Sequence, residues 1–267
     1  MDKQSHLKEK IMDQYGKIAL DGNSNSCCMP SSDCCGTSSD ILFSPFESSK
    51  MIGYDPEKLK LIPESSVLGV GCGNPTKFAD INEGDIVIDL GSGAGVDVFL
   101  ASNLVKESGK VIGIDMTDNM LTKARENAQK NGYTNVEFRR GDIEQRIPVE
   151  DNSADLVISN CVINLTTNKE NTFREIYRIL KSEGKGKIII SDLVTSKEID
   201  VHSINTDNWC SCIDGALTKE NYLDSIKKAG FNNIDVLDEK LYMELDEDNE
   251  GQEKRQITSI SIKAVKE

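Results

Sequence analysis

Apolar residues at Leu7, Ile11, Met12, Tyr15, Ile18 and Ala19 repeat at the three-to-four-residue spacing of one helix face. Across residues 21–40 that pattern vanishes. Ser, Gly, Asn and Cys dominate there, which predicts a loop carrying Cys27, Cys28, Cys34 and Cys35. From residue 85 short continuous apolar runs alternate with helical spacing. Residues 86–90 predict a first strand, followed by a helix through Val96, Phe99, Leu100 and Leu104. Residues 111–115 predict a second strand. The next helix buries Met120, Leu121, Ala124 and Ala128, with Asp118 or Asn119 as its cap. Residues 136–139 form a third predicted strand, ending near Asp142, and 155–159 a fourth. A helix over 169–180 precedes a fifth strand at 187–193. Continuous apolar strands separated by helices predict a parallel sheet covered on both faces.

The rhythm breaks after residue 193. Residues 195–217 read as an irregular insertion carrying Trp209, Cys210 and Cys212. Thr218 then caps a helix ending near Gly230. Two more strands are predicted over 234–241 and 257–265, with an acidic solvated loop at 244–250 between them.

The chain has 267 residues, enough for one large α/β domain or a core with a small appendage. A net charge of −14 repels phosphate backbones and anionic lipid, which disfavours nucleic-acid and membrane-surface partners. Residues 1–10 lack the apolar stretch of a signal peptide. No apolar run approaches the ~20 residues that span a bilayer. These features predict a cytoplasmic protein with reduced thiols. Eight cysteines then point to metal or metalloid binding or redox chemistry, not to a disulfide framework.

The glycine cluster Asp89-Leu90-Gly91-Ser92-Gly93-Ala94-Gly95 follows a strand and opens a helix. Glycine there permits a tight turn and close approach of a ligand, and an acidic residue about 20 positions on, Asp115, suits ribose hydroxyls. Glycine spacing alone also fits a dinucleotide site. The whole constellation resembles the class I S-adenosylmethionine-dependent methyltransferases. That resemblance implies a Rossmann-like, doubly wound, mostly parallel seven-stranded sheet with an antiparallel edge strand, preceded here by an N-terminal helix and loop. It implies that Asp89, Gly91, Ser92 and Gly93 surround the methionine moiety of S-adenosylmethionine, with Asn160 beside them. Asp115 would hold the ribose, and Met116, Asp142 and Ile143 would lie near the adenine. It divides the chain into an N-terminal extension (1–64), a cofactor-binding core (65–194) and a substrate-binding and completing segment (195–267).

Open α/β sheets bind ligands beyond the carboxyl ends of their strands. After the fourth strand the chain reads Ser159-Asn160-Cys161-Val162-Ile163-Asn164-Leu165. One buried cysteine is ordinarily inert packing. Two further motifs, Gly71-Cys72-Gly73-Asn74-Pro75 and Cys210-Ser211-Cys212-Ile213-Asp214-Gly215-Ala216-Leu217, change that weighting. Together the three resemble the arsenite methyltransferases over residues 65–231, and Asp115-Met116-Thr117 matches that family's second-strand ending. The resemblance implies that Cys161 and Cys212 bind trivalent arsenic. Cys72 would serve as third ligand or as a disulfide partner after turnover, and Cys210 is an alternate ligand. Soft thiolates suit a soft centre, and arsenic's unprotonated lone pair needs no general base. That agrees with the histidine count, since His6 and His202 sit in no motif. Arsenite and methylated arsenicals are the expected ligands, with thioredoxin or glutathione resetting the thiols. Cys27, Cys28, Cys34 and Cys35 depart from common zinc spacings and read as a metalloid-capturing tail. Two other readings stay open: a methyltransferase for a small organic metabolite, and a non-enzymatic metalloid-binding protein.

Overall fold

The computed structural model describes residues 3–21, 44–199, 206–245 and 254–267. Cys27, Cys28, Cys34, Cys35 and His202 lie outside the described residues, as does most of the acidic loop. Seven strands form one sheet: β1 (Ile86–Leu90), β2 (Lys110–Asp115), β3 (Val136–Arg140), β4 (Leu156–Asn160), β5 (Lys187–Thr195), β6 (Asn233–Leu245) and β7 (Arg255–Val265). Their order is β3-β2-β1-β4-β5-β7-β6. The strands from β3 to β5 pair in parallel, as the continuous apolar runs predict. β7 runs antiparallel between β5 and β6 at this end of the sheet.

The helices are α1 (Lys3–Asp21), α2 (Pro45–Met51), α3 (Pro56–Leu59), α4 (Val96–Val105), α5 (Asp118–Lys130), α6 (Lys169–Ile179), α7 (Thr206–Cys210) and α8 (Lys219–Lys228). Their apolar faces cover both sides of the sheet. Phe173, Ile176, Tyr222 and Ile226 of α6 and α8 pack against Ile88, Val157, Ile188 and Ile190. Val98, Phe99, Leu121 and Ala124 of α4 and α5 pack against Val87, Val111, Leu156 and Ile158.

Two local expectations change. The N-cap of α5 is Thr117 and not Asp118 or Asn119; the Asp115 carboxylate accepts from the Thr117 N–H at 2.8 Å, which turns the chain one residue earlier. The segment expected to be irregular from residue 195 loses Thr195 to β5, where it pairs with Ile257, and its end carries the short helix α7. Thr218 does cap α8, accepting from the Asn221 N–H. Among the described residues, no helix is long and apolar enough to cross a membrane.

Candidate active site

The carboxyl ends of β1, β2 and β4 open into a cleft. Asp89, Gly91, Ser92, Gly93, Asp115, Met116, Asp142, Ile143 and Asn160 all line it. The strand-turn-helix geometry explains the glycine cluster. Gly91 has φ +70, and a Cβ there would stand 2.2 Å from a Val162 methyl, so no larger residue fits. The N–H groups of Gly91 and Ser92 both donate to the Ile114 carbonyl, which ties the loop to β2. Asp115 accepts from the Gly93 N–H at 2.9 Å. The Ser92 hydroxyl is buried without a hydrogen-bond partner among the described residues, leaving a polar atom for a ligand to satisfy.

The cleft concentrates buried acidic groups. Burial pushes the Asp89 carboxyl well above the usual range, helped by Asp97 and Asp115. Burial raises Asp97 to about 6, opposed by hydrogen bonds from Tyr54 and Asn160. Burial also raises Asp115, against hydrogen bonds from Thr117 and Gly93. Three crowded carboxyls suit a cationic ligand.

Helix α1 closes one side. Lys8, Ile11 and Tyr15 line the cleft. The Lys8 ammonium lies 2.7 Å from Asp142 and 2.6 Å from Glu144. Ile11 is buried among the cysteines, and the Tyr15 hydroxyl donates to the Cys210 carbonyl. The helix therefore touches both ends of the cleft, a role its amphipathic pattern did not reveal.

Cys161 stands on the cleft wall, directly after β4, with φ +59. Such a backbone is uncommon for a residue with a side chain. The Sγ atoms of Cys72 and Cys161 and a carboxylate oxygen of Asp192 all lie within 4.8 Å of one another, and all three residues are buried. Cys212 is outside that group of three but adjoins it, its Sγ donating to the Cys161 carbonyl at 2.8 Å. Cys212 also has a positive φ, +64. Cys210 is buried in the same apolar cluster as these three. Arg255 of β7 pairs with Asp214 at 3.1 Å, and Trp209 donates to the Leu165 carbonyl; these anchor the Cys210–Cys212 turn. No disulfide joins the described cysteines.

Sequence reasoning missed Asp192, Lys169, Tyr54 and Asp97. Burial raises the Asp192 carboxyl to about 6, against hydrogen bonds from the Leu193 N–H and Tyr222 and the charge of Lys169. Burial lowers the Lys169 ammonium to about 8, opposed by the charges of Asp192 and Cys212. Asp192 lies near the end of the predicted fifth strand, one residue past the last β4–β5 pair, which was a usable signal. The other three carried none.

A methyltransferase-domain family model matches residues 81–230. The arsenite methyltransferase of Halobacterium salinarum is 38% identical over 237 residues, covering 86% of this chain and 58% of that protein. A solved structure, the arsenic(III) S-adenosylmethionine methyltransferase CrArsM of Chlamydomonas reinhardtii, superposes with a TM-score of 0.61 at 31% identity, covering 81% of this chain and 72% of that one. The chain belongs to the arsenite methyltransferase family. The enzyme of Aquipseudomonas alcaligenes in the same family is 31% identical, over 88% of this chain and 64% of its own. The chain thus spans a little under two thirds of the length of these two curated relatives. In this chain the glycine cluster and Cys161 line the cleft, and Cys72, Cys210 and Cys212 are buried in one apolar cluster with Cys161.

Proposed function

We propose that the chain methylates trivalent arsenic with S-adenosylmethionine. The observation that carries this reading is Cys161 on the cleft wall with the Cys72 thiol beside it. The residues suit the cofactor: the unpartnered Ser92 hydroxyl, the close turn at Gly91 and the carboxyls of Asp89, Asp97 and Asp115 offer polar contacts to a cation with hydroxyl groups. When bound, the cofactor supplies a methyl group on an electron-poor sulfonium. Asp89, Gly91, Ser92 and Gly93 would hold its methionine end and Asp115 its ribose. Met116, Asp142 and Ile143 would flank the adenine.

Cys161 and Cys72 would displace hydroxyls from arsenite, each thiol proton leaving with a hydroxyl as water. Cys212 or Cys210 would supply a further thiolate. The bound arsenic keeps its lone pair, which takes the methyl group without a base. Orientation can contribute ~7–11 kcal/mol to such a displacement. Arsenic passes formally from the trivalent to the pentavalent state. Two electrons from a thiol pair return it, the pair closing as a disulfide that thioredoxin or glutathione reopens. The need for reduced thiols fits a cytoplasmic setting.

The test incubates the purified protein with arsenite, S-adenosylmethionine and a thiol reductant, with Cys161→Ser alongside. Methylated arsenic from the native chain alone is expected. Equal product from both proteins would remove Cys161 from the mechanism. No product despite cofactor binding would favour a small organic acceptor.

A further inference from the structure

Asn160 joins three segments that are distant in sequence. Its Oδ1 accepts from the Cys72 N–H at 3.1 Å and the Gly73 N–H at 3.3 Å. Its Nδ2 donates to the Gly73 carbonyl at 2.8 Å and to the Tyr54 hydroxyl oxygen at 3.0 Å. The Tyr54 hydroxyl donates to the Asp97 carboxylate, whose oxygens lie at 2.9 and 2.8 Å. Tyr54 is 4% exposed and Asp97 3%. The contact with the Cys72 loop is tight, since a Cβ on Gly71 (φ +123) would stand 2.8 Å from the Asn160 amide nitrogen.

The polarity of this chain has one direction. An ionised carboxylate only accepts, so Tyr54 must donate to Asp97. Its hydroxyl oxygen then offers only lone pairs to Asn160, which must present its NH₂ group there. Together with the Gly73 carbonyl, which accepts from the same NH₂ group, this turns the amide oxygen to the N–H groups of Cys72 and Gly73. Cys72 belongs to no helix or strand, so these bonds, with the one its carbonyl accepts from the Ser259 hydroxyl at 2.7 Å, hold the backbone that carries its thiol. Its Sγ lies 3.7 Å from the Ser191 carbonyl oxygen, and the Cys161 N–H donates to that same carbonyl.

We propose that Tyr54 is a positioning residue for the Cys72 thiol, acting through Asn160 with its hydroxyl aimed by Asp97. The proposal rests on the arsenic reading for its purpose, not for its geometry. Tyr54, Asp97 and Asn160 also line the cleft. The wall that receives the cofactor therefore sets the thiol pair as well.

The test uses Trp209, the single tryptophan, as a fluorescence reporter of arsenite binding in the full chain. Tyr54→Phe keeps the ring and removes one donor and one acceptor. Arsenite binding is expected to weaken ~5- to 10-fold, the loss of one or two buried hydrogen bonds. Because Tyr54 acts through Cys72, adding Tyr54→Phe to Cys72→Ser should cost nothing further. A full additional penalty in the double variant, or native binding by Tyr54→Phe, would overturn the proposal. The second readout needs no arsenic. Diamide takes two electrons and two protons from a thiol pair, becoming a hydrazine, and peptide mapping follows the Cys72–Cys161 disulfide. It should form at least ~5-fold more slowly in Tyr54→Phe; an equal rate overturns the relay. If the native chain fails to bind arsenite, the arsenic reading falls and the disulfide rate alone decides the relay. If Tyr54→Phe does not fold, Asp97→Asn is measured the same way. Its added NH₂ group removes the acceptor-only constraint, and the same slowing is expected.

Discussion

Replacing Gly91 by alanine strikes both halves of the site at once. Gly91 has φ +70, a conformation that costs a residue with a Cβ ~1–2 kcal/mol. The new methyl would also stand 2.2, 2.6 and 2.8 Å from three carbons of Val162. Relieving such overpacking typically costs ~1–3 kcal/mol. The sum is ~2–5 kcal/mol, or roughly 5–15 °C in melting temperature for a domain of this size. Val162 follows Cys161, so the displaced side chain also disturbs the left-handed turn that aims the thiol. Calorimetry and urea unfolding measure stability, and S-adenosylhomocysteine titration measures the cleft. Adding Val162→Ala should recover the steric part and leave the backbone part, a coupling of ~1–3 kcal/mol between the two sites. A Gly91→Ala protein as stable as the native chain would refute this reasoning. So would a double variant whose loss is simply the sum of the two single losses.

Two other outcomes follow from the charges of the cleft. Lys8→Met removes the ion pairs to Asp142 and Glu144. Lys8 keeps partial solvent contact, so the loss is ~1 kcal/mol. Amide exchange in α1 should speed up ~5-fold relative to β1, and unchanged α1 protection would show that Lys8 does not clamp the helix. Asp97, raised to about 6 by burial, bonds Tyr54 and Asn160, and its charge acts on Asp89. A cationic ligand favours the ionised form and lowers that pKa, so binding releases a proton below about pH 6. The Asp97 contribution to S-adenosylmethionine affinity should then rise from pH 5 toward about 6 and level off above it, by up to ~10-fold. Asp97→Asn should flatten its share of that slope. Equal affinity of the native chain at pH 5 and 7.5 would contradict the assignment.

Much of the fold was legible because its signals are local. Continuous apolar runs mark strands buried on both faces, and helical spacing marks the covering helices. The run of Asp89 to Gly95 carries its own geometry, since a strand, a turn with left-handed backbone and a helix follow within a few residues. Boundaries slipped where tertiary pairing extended an element. β5 continues to Thr195 because β7 pairs with it there, and no property of residues 193–195 announces that partner. The cap of α5 moved to Thr117 because the Asp115 carboxylate bonds its N–H.

By itself the sequence determined the parallel sheet, the glycine turn, the acid that ends β2 and the three cysteine motifs as candidates. Only the tertiary structure decided which of those cysteines meet. Parallel pairing of β4 with β5 sets Asn160 opposite Ser191. The residues one step beyond, Cys161 and Asp192, therefore emerge side by side at the carboxyl edge, and Asn160 draws the Cys72 loop onto them. Strand register and a polar relay from Tyr54 and Asp97 brought these groups together. The register joins residues 31 positions apart and the relay residues 43 to 106 apart, separations at which no periodicity in the chain carries information.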